Sequence, residues 1–120
     1  MSHEVKETRA FARPAAAVLA ITGEVVGQLG GKRPRKDPGI EGQVQADFNK
    51  EVGGRSFANR VQLVVRVVSD GPDRCTASVE AYPVDPLGNR LRFGVLGEPA
   101  RVVTSAFWAR LEARLTPTAA

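Results

Sequence analysis

Histidine, cysteine, methionine and tryptophan each occur once in these 120 residues. That scarcity removes whole classes of chemistry. A zinc site built from cysteine and histidine needs three or four such ligands, and His3 with Cys75 supplies only two. A lone cysteine cannot close a disulfide within the chain, so a reducing cytoplasm is the expected home. Long apolar runs are missing as well. Nothing approaches the roughly 18 uncharged apolar residues of a membrane span, and the N-terminus lacks the basic-then-apolar order of a signal peptide. A phosphate loop is absent too: Gly27, Gly30 and Gly31 precede Lys32, but no Lys-Ser/Thr ending and no helix follow. Nucleotide hydrolysis is thereby excluded.

What is present describes one globular domain. Hydrophobic residues make up 42% of the chain and charged residues 25%, ordinary proportions for a single core at this length. The net charge is +4, from 17 Lys and Arg against 13 Asp and Glu. Such a balance permits an acidic partner without demanding one. No linker or repeat divides residues 1–120, and residues 1–4 and 116–120 read as loose ends.

The pattern along the chain predicts seven elements. A strand is expected over Val5–Phe11. Pro14 then stands at a plausible helix start, followed by Ala15, Ala16 and Ala17, strong helix formers. Val18, Ile21, Val25 and Leu29, with Val26 beside them, form an apolar stripe, and Gly30-Gly31 is a natural stop. Gly23 and Gly27 weaken this helix by roughly 1 kcal/mol each, which suggests close packing against a sheet. From Ile40 to Asn49 apolar and polar residues alternate without exception. Further strands are expected over Phe57–Val68 and Cys75–Val84, with odd positions inward, and a fourth carrying Leu91, Phe93 and Val95 inward. A helix opening at Pro99 places Val103, Phe107, Leu111 and Leu115 four residues apart and ends at Thr116-Pro117. Short connections between consecutive strands favour antiparallel pairing. The fold class is α+β, in the order β-α-β-β-β-β-α, with a curved antiparallel sheet and two helices packed on one face.

An opening strand, the corner Phe11-Ala12-Arg13-Pro14-Ala15-Ala16-Ala17-Val18, a meander and a C-terminal helix resemble the small helix-grip domains. These include the START-like, birch-pollen-allergen-like and polyketide-cyclase-like proteins, and the TATA-binding-protein-like fold is topologically related. The resemblance implies a nonpolar ligand held between the curved sheet and the last helix. It brings no catalytic residue with it.

Candidate chemistry in the residues themselves is thin. His3 lies near the chain end, and the alternation turns Cys75 inward with no base beside it, so neither reads as a catalyst. Glu41, Asp47 and Glu80 fall on the polar strand face. Lys32, Arg33, Arg35 and Lys36 form a basic loop able to contact phosphates. Asp37 and Glu41 follow it at once, however, and no aromatic is interleaved for base stacking, so nucleic acid is disfavoured. Phe48, Phe57, Phe93, Phe107 and Trp108 project toward the sheet–helix interior, either as core or as a pocket lining, with Asn59 the one inward polar contact. Val64, Val68, Tyr82 and Val84 are apolar positions on the wet face that a dimer would cover. The expected function is noncatalytic binding of a small apolar or amphipathic ligand between sheet and C-terminal helix, with no cofactor and no metal. The alternative is an interaction module, self-associating or docking an acidic partner on the 32–36 loop.

Overall fold

The computed structural model describes residues 3–33, 39–91, 94–95 and 97–115, and in it a strand and a helix lead into a run of strands closed by a second helix, as expected. The elements are β1 (Val5–Phe11), α1 (Ala15–Gln28), β2 (Gln43–Phe48), a tight hairpin of β3 (Glu51–Val52) and β4 (Arg55–Ser56), β5 (Arg60–Gly71), β6 (Arg74–Val84) and α2 (Pro99–Leu115). Pro14 caps α1 from outside, at φ −59° and ψ 140°, and its carbonyl accepts the amides of Ala17 and Val18. At the other end Gly31 N–H donates to the Val26 carbonyl at 2.9 Å and Gly30 N–H to Gly27 at 3.1 Å. Gly30 sits at φ +91°, where the absence of a Cβ lets the helix close on its own last carbonyls.

The suggestion that Gly23 and Gly27 mark contact with the sheet is not met. A Cβ on Gly27 would have no neighbouring heavy atom within 4 Å, and one on Gly23 would meet only the Arg33 guanidinium, at 3.3 Å. The close approach is at Gly31, where a Cβ would lie 2.7 Å from Phe48 Cζ and 2.9 Å from Val26 Cγ1.

The main sheet is curved and fully antiparallel, in the order β1-β6-β5-β2. Because α1 follows β1 and leads to β2, it carries the chain from one sheet edge to the other. The registers align the inward rows: Leu63 stands opposite both Ala46 and Ala81, and Val65 opposite both Val44 and Val79. These residues and Phe48, Val61, Val67, Cys75 and Ala77 are buried beneath the two helices. From α1 and its C-cap come Val18, Val25, Val26 and Leu29. From α2 come Ala100, Val103, Phe107, Trp108, Leu111 and Leu115. Thr22 and Thr104 are buried within this layer, and their hydroxyls donate back to the Val18 and Ala100 carbonyls at 2.7 and 2.8 Å. Each is thus satisfied within its own helix.

Several boundaries differ from expectation for local reasons. β2 begins at Gln43 rather than Ile40, because Gly42 at φ +75° breaks the extended backbone and leaves Ile40 51% exposed. Between β2 and β5 the chain forms the β3–β4 hairpin, which turns at Gly53 and Gly54 with Val52 paired to Arg55. β5 begins at Arg60, so Phe57–Asn59 form a corner, and the break expected at Ser69 is a register shift between Ser69 and Gly71 within the ladder. Of the strand expected around Leu91–Val95, the described residues show one bridge, Val84 with Arg90, and a 2.9 Å bond from Leu91 N–H to the Pro83 carbonyl. Arg92 and Phe93 lie outside the described residues. Among those described, no helix is long and apolar enough to cross a membrane.

Candidate functional site

The predicted aromatic lining divides into two groups. Phe48 and Phe107 are completely buried and Trp108 is 2% exposed, all within the shared core. Phe107 and Trp108 rings stand 5.4 Å apart, and Phe11 approaches Trp108 at 6.3 Å. Trp108 also has a polar shell. Its Nε1–H donates to Glu7 Oε1 at 3.0 Å. The Arg9 guanidinium lies 4.6 Å above its ring and pairs with Glu112. Arg101 reaches within 3.9 Å of Glu7. These contacts fasten α2 to β1, and they went unseen in the sequence reading. The available signal was that Glu7 and Arg9 share the odd-numbered, inward row of β1 with Val5 and Phe11.

Phe57 and Asn59 sit elsewhere, at the end of the sheet where β5 begins and β6 finishes. Phe57 is half-buried against the core, and its N–H donates to the Lys50 carbonyl at 3.0 Å. Asn59 Nδ2 donates across to the Gly94 carbonyl at 3.4 Å, linking this corner to the segment that leads into α2. Beside it lies an open groove of about 250 Å³. Ala58, Val84, Pro86 and Leu91 give it apolar walls, while Asn49, Asn59, Lys50, Arg60 and Asp85 supply polar groups. Phe93, the remaining candidate, lies outside the described residues.

Asp85 organises one wall. Its Oδ1 accepts the amides of Leu87 and Asn89, both at 2.9 Å. The Asn89 N–H is the main reason its carboxyl is held below the ordinary value of 3.8, and this outweighs the opposing effect of desolvation. Asp85 thus adds a carboxylate to a lining that also holds Lys50 and Arg60.

Other hollows open elsewhere on the surface. One of about 210 Å³ lies on the outer sheet face around Val64, Arg66 and Ser78, and one of about 320 Å³ beside Phe11 and Cys75. A third, of about 530 Å³, runs between α1 and β2 past Leu19, Ile40 and Val44. Arg33 and Gly39, which border it, flank residues 34–38, and those are not among the described residues.

The remaining candidates gather no catalytic set. Cys75 is 1% exposed, and burial, with the Asp70 charge, pushes its thiol above the usual range. That disfavours the nucleophilic thiolate. Burial likewise raises Asp47, against a smaller opposing pull from Arg60. Asp47 and Glu80 do not converge: β5 separates their strands, and they oppose Gln62 and Val64 respectively. Glu80 instead pairs with Arg90, which also lies 3.2 Å from Glu4 and stacks 3.9 Å over the Tyr82 ring. Of the basic loop, Lys32 is bonded through its backbone to Asp47 in both directions and Arg33 is exposed, while Arg35 and Lys36 lie outside the described residues. Among the described residues, no cluster of His, Cys, Asp and Glu forms a metal site.

No protein-family model matches the chain, and no curated protein matches it in sequence. Solved structures do. A START superfamily protein from Mycobacterium smegmatis superimposes with a TM-score of 0.51 at 17% identity, over 93% of this chain and 96% of that one. The chain has the START-like helix-grip fold. Two further solved structures match less closely. A Thermobifida fusca protein gives a TM-score of 0.45 at 16% identity, covering 92% of this chain and 86% of that one. The Zhui aromatase/cyclase from a Streptomyces species gives 0.42 at 12% identity with the same coverages.

Proposed function

We propose that this helix-grip domain binds a small amphipathic molecule without transforming it, taken up at the open end of the sheet beside Asn59. One observation carries the reading. Asn59 lines a groove whose walls are apolar at Ala58, Val84, Pro86 and Leu91 and carry two cations, Lys50 and Arg60, beside the Asp85 carboxylate. An apolar body would cover the apolar walls, and a hydrogen-bond acceptor or anionic group would meet the cations. A few polar groups in an apolar concavity is the usual composition of a ligand site, and the groove lies just under the roughly 300 Å³ at which such sites begin. A hydrogen bond of 3.4 Å from Asn59 to the Gly94 carbonyl links the corner to the approach to α2. The fold shared with a START superfamily protein agrees with this use.

Titration with anilinonaphthalene sulfonate, an aromatic anion of suitable size, tests the reading. Saturable one-to-one binding is expected, with amide shifts in the nuclear magnetic resonance spectrum concentrated at Ala58, Asn59 and Leu91. Asn59→Ala should weaken it several-fold with unchanged thermal stability. Absence of saturable binding, or shifts confined to the outer sheet face, would overturn it.

A further inference from the structure

The two edges of the sheet are unequal. At β2 the edge is capped: Lys32 N–H donates to the Asp47 carbonyl at 2.9 Å and Asp47 N–H returns to Lys32 at 2.8 Å. At β1 all seven residues pair with β6 in an unbroken register, and among the described residues no element pairs with the other side. An open edge of that length presents backbone donors and acceptors ready for another strand. Sequence decides which strand suits it.

We infer that β1 is a self-association edge, on which a second copy of this chain pairs antiparallel about a twofold axis at Thr8. A twofold normal to the sheet keeps inward residues inward, so directly opposed residues must come from the same row. Only registers centred on a residue then qualify, and the fullest are those centred on Glu7, Thr8 or Arg9. Centring on Glu7 opposes two carboxylates, and centring on Arg9 opposes two guanidiniums. Like charges directly opposite are destabilising. Centring on Thr8 opposes Glu7 with Arg9 twice, Val5 with Phe11 twice, Lys6 with Ala10 twice, and Thr8 with itself. Glu7 and Arg9, which within the chain also contact Trp108 and Glu112, each meet the opposite charge across the axis, and Val5 meets Phe11. The interface is self-complementary, as a twofold contact requires. It would join two four-stranded sheets into one of eight strands, with both copies of α2 on the same face.

Thr8 makes the test clean, because it is exposed on the outer face, where its hydroxyl shares a 3.3 Å hydrogen bond with that of Ser78. Wild-type chain should show a concentration-dependent monomer–dimer equilibrium in sedimentation velocity. Thr8→Lys should raise the dimer dissociation constant several-fold by opposing two cations, as should Thr8→Glu. An equimolar mixture of the two variants should restore the dimer as a heterodimer. Directly opposed residues of an antiparallel pair lie about 4.5–5.5 Å apart at Cα, within disulfide reach. Thr8→Cys should therefore cross-link on mild oxidation, whereas Val68→Cys, 52% exposed on the outer face, should not. A wild-type chain that stays monomeric with an uncross-linked Thr8→Cys would overturn the inference. So would a dimer that Thr8→Lys leaves intact, which would place the interface elsewhere.

Discussion

Two glycines near the end of α1 differ in sequence by four positions and should respond to alanine with opposite signs. Gly31 lies under the core. Its backbone is outside the left-handed region, so alanine is conformationally allowed there, but the new Cβ would stand 2.7 and 3.1 Å from Phe48 ring atoms and 2.9 Å from Val26. Phe48 is completely buried and Val26 is 3% exposed, so neither has space to retreat into. Overpacking of this kind costs roughly 1–3 kcal/mol. Gly27 is exposed within the helix and meets nothing, so alanine should stabilise by about 1 kcal/mol through helix propensity alone. With about 2.1 cal/mol/K of unfolding entropy per residue, 1 kcal/mol corresponds to about 4 °C in a chain of this length. Gly31→Ala should lower the melting temperature by about 4–12 °C and Gly27→Ala should raise it by about 4 °C. Circular dichroism melts with urea titrations at one temperature measure both. If the two variants shift in the same direction, the assignment of one glycine to packing and the other to an open helix surface is wrong.

Three further outcomes are expected. Trp108→Phe should cost about 1–2 kcal/mol by removing the donor to Glu7 and part of the ring, a value reduced because the Glu7 side chain is 36% exposed; far-ultraviolet circular dichroism must report it, since no other tryptophan remains, and an unchanged urea midpoint would remove the role of the α2–β1 fastening. Cys75 should react with a thiol reagent only as fast as the chain opens, because it is buried and its thiolate is disfavoured; rapid stoichiometric labelling of the native protein would contradict that burial. Asp85 is held below its ordinary value of 3.8 by backbone donors, so its stabilising contribution is present above that pH and lost as the pH falls through the lower folded value. Asp85→Asn should therefore flatten the acid limb of the stability profile, and a parallel limb in wild type and variant would refute the link.

Much of the scaffold was legible because it rests on local periodicity. The period-two alternation from Val44 to Phe48 and from Cys75 to Ala81 placed the inward residues correctly, since a strand turns alternate side chains to opposite faces whatever it pairs with. The four-residue spacing of Val103, Phe107, Leu111 and Leu115 did the same for α2. The site was far less legible. Alternation singled out Asn59 as a candidate, yet Val84, Pro86 and Leu91, which line the groove beside it, lie 25 to 32 residues further on. Phe48, Phe107 and Trp108 bear the same apolar signal whether they line a pocket or fill a core, and only packing distinguishes those states.

The sequence by itself determined the two helices, the long strands with their inward rows and the scarcity of catalytic groups, because composition and periodicity are properties of the chain. Tertiary structure decided which glycine touches the core, that Trp108 bonds to Glu7 101 residues away, and that one sheet edge is capped while the other stays open. Those features depend on distances between residues remote in sequence, which local pattern does not encode.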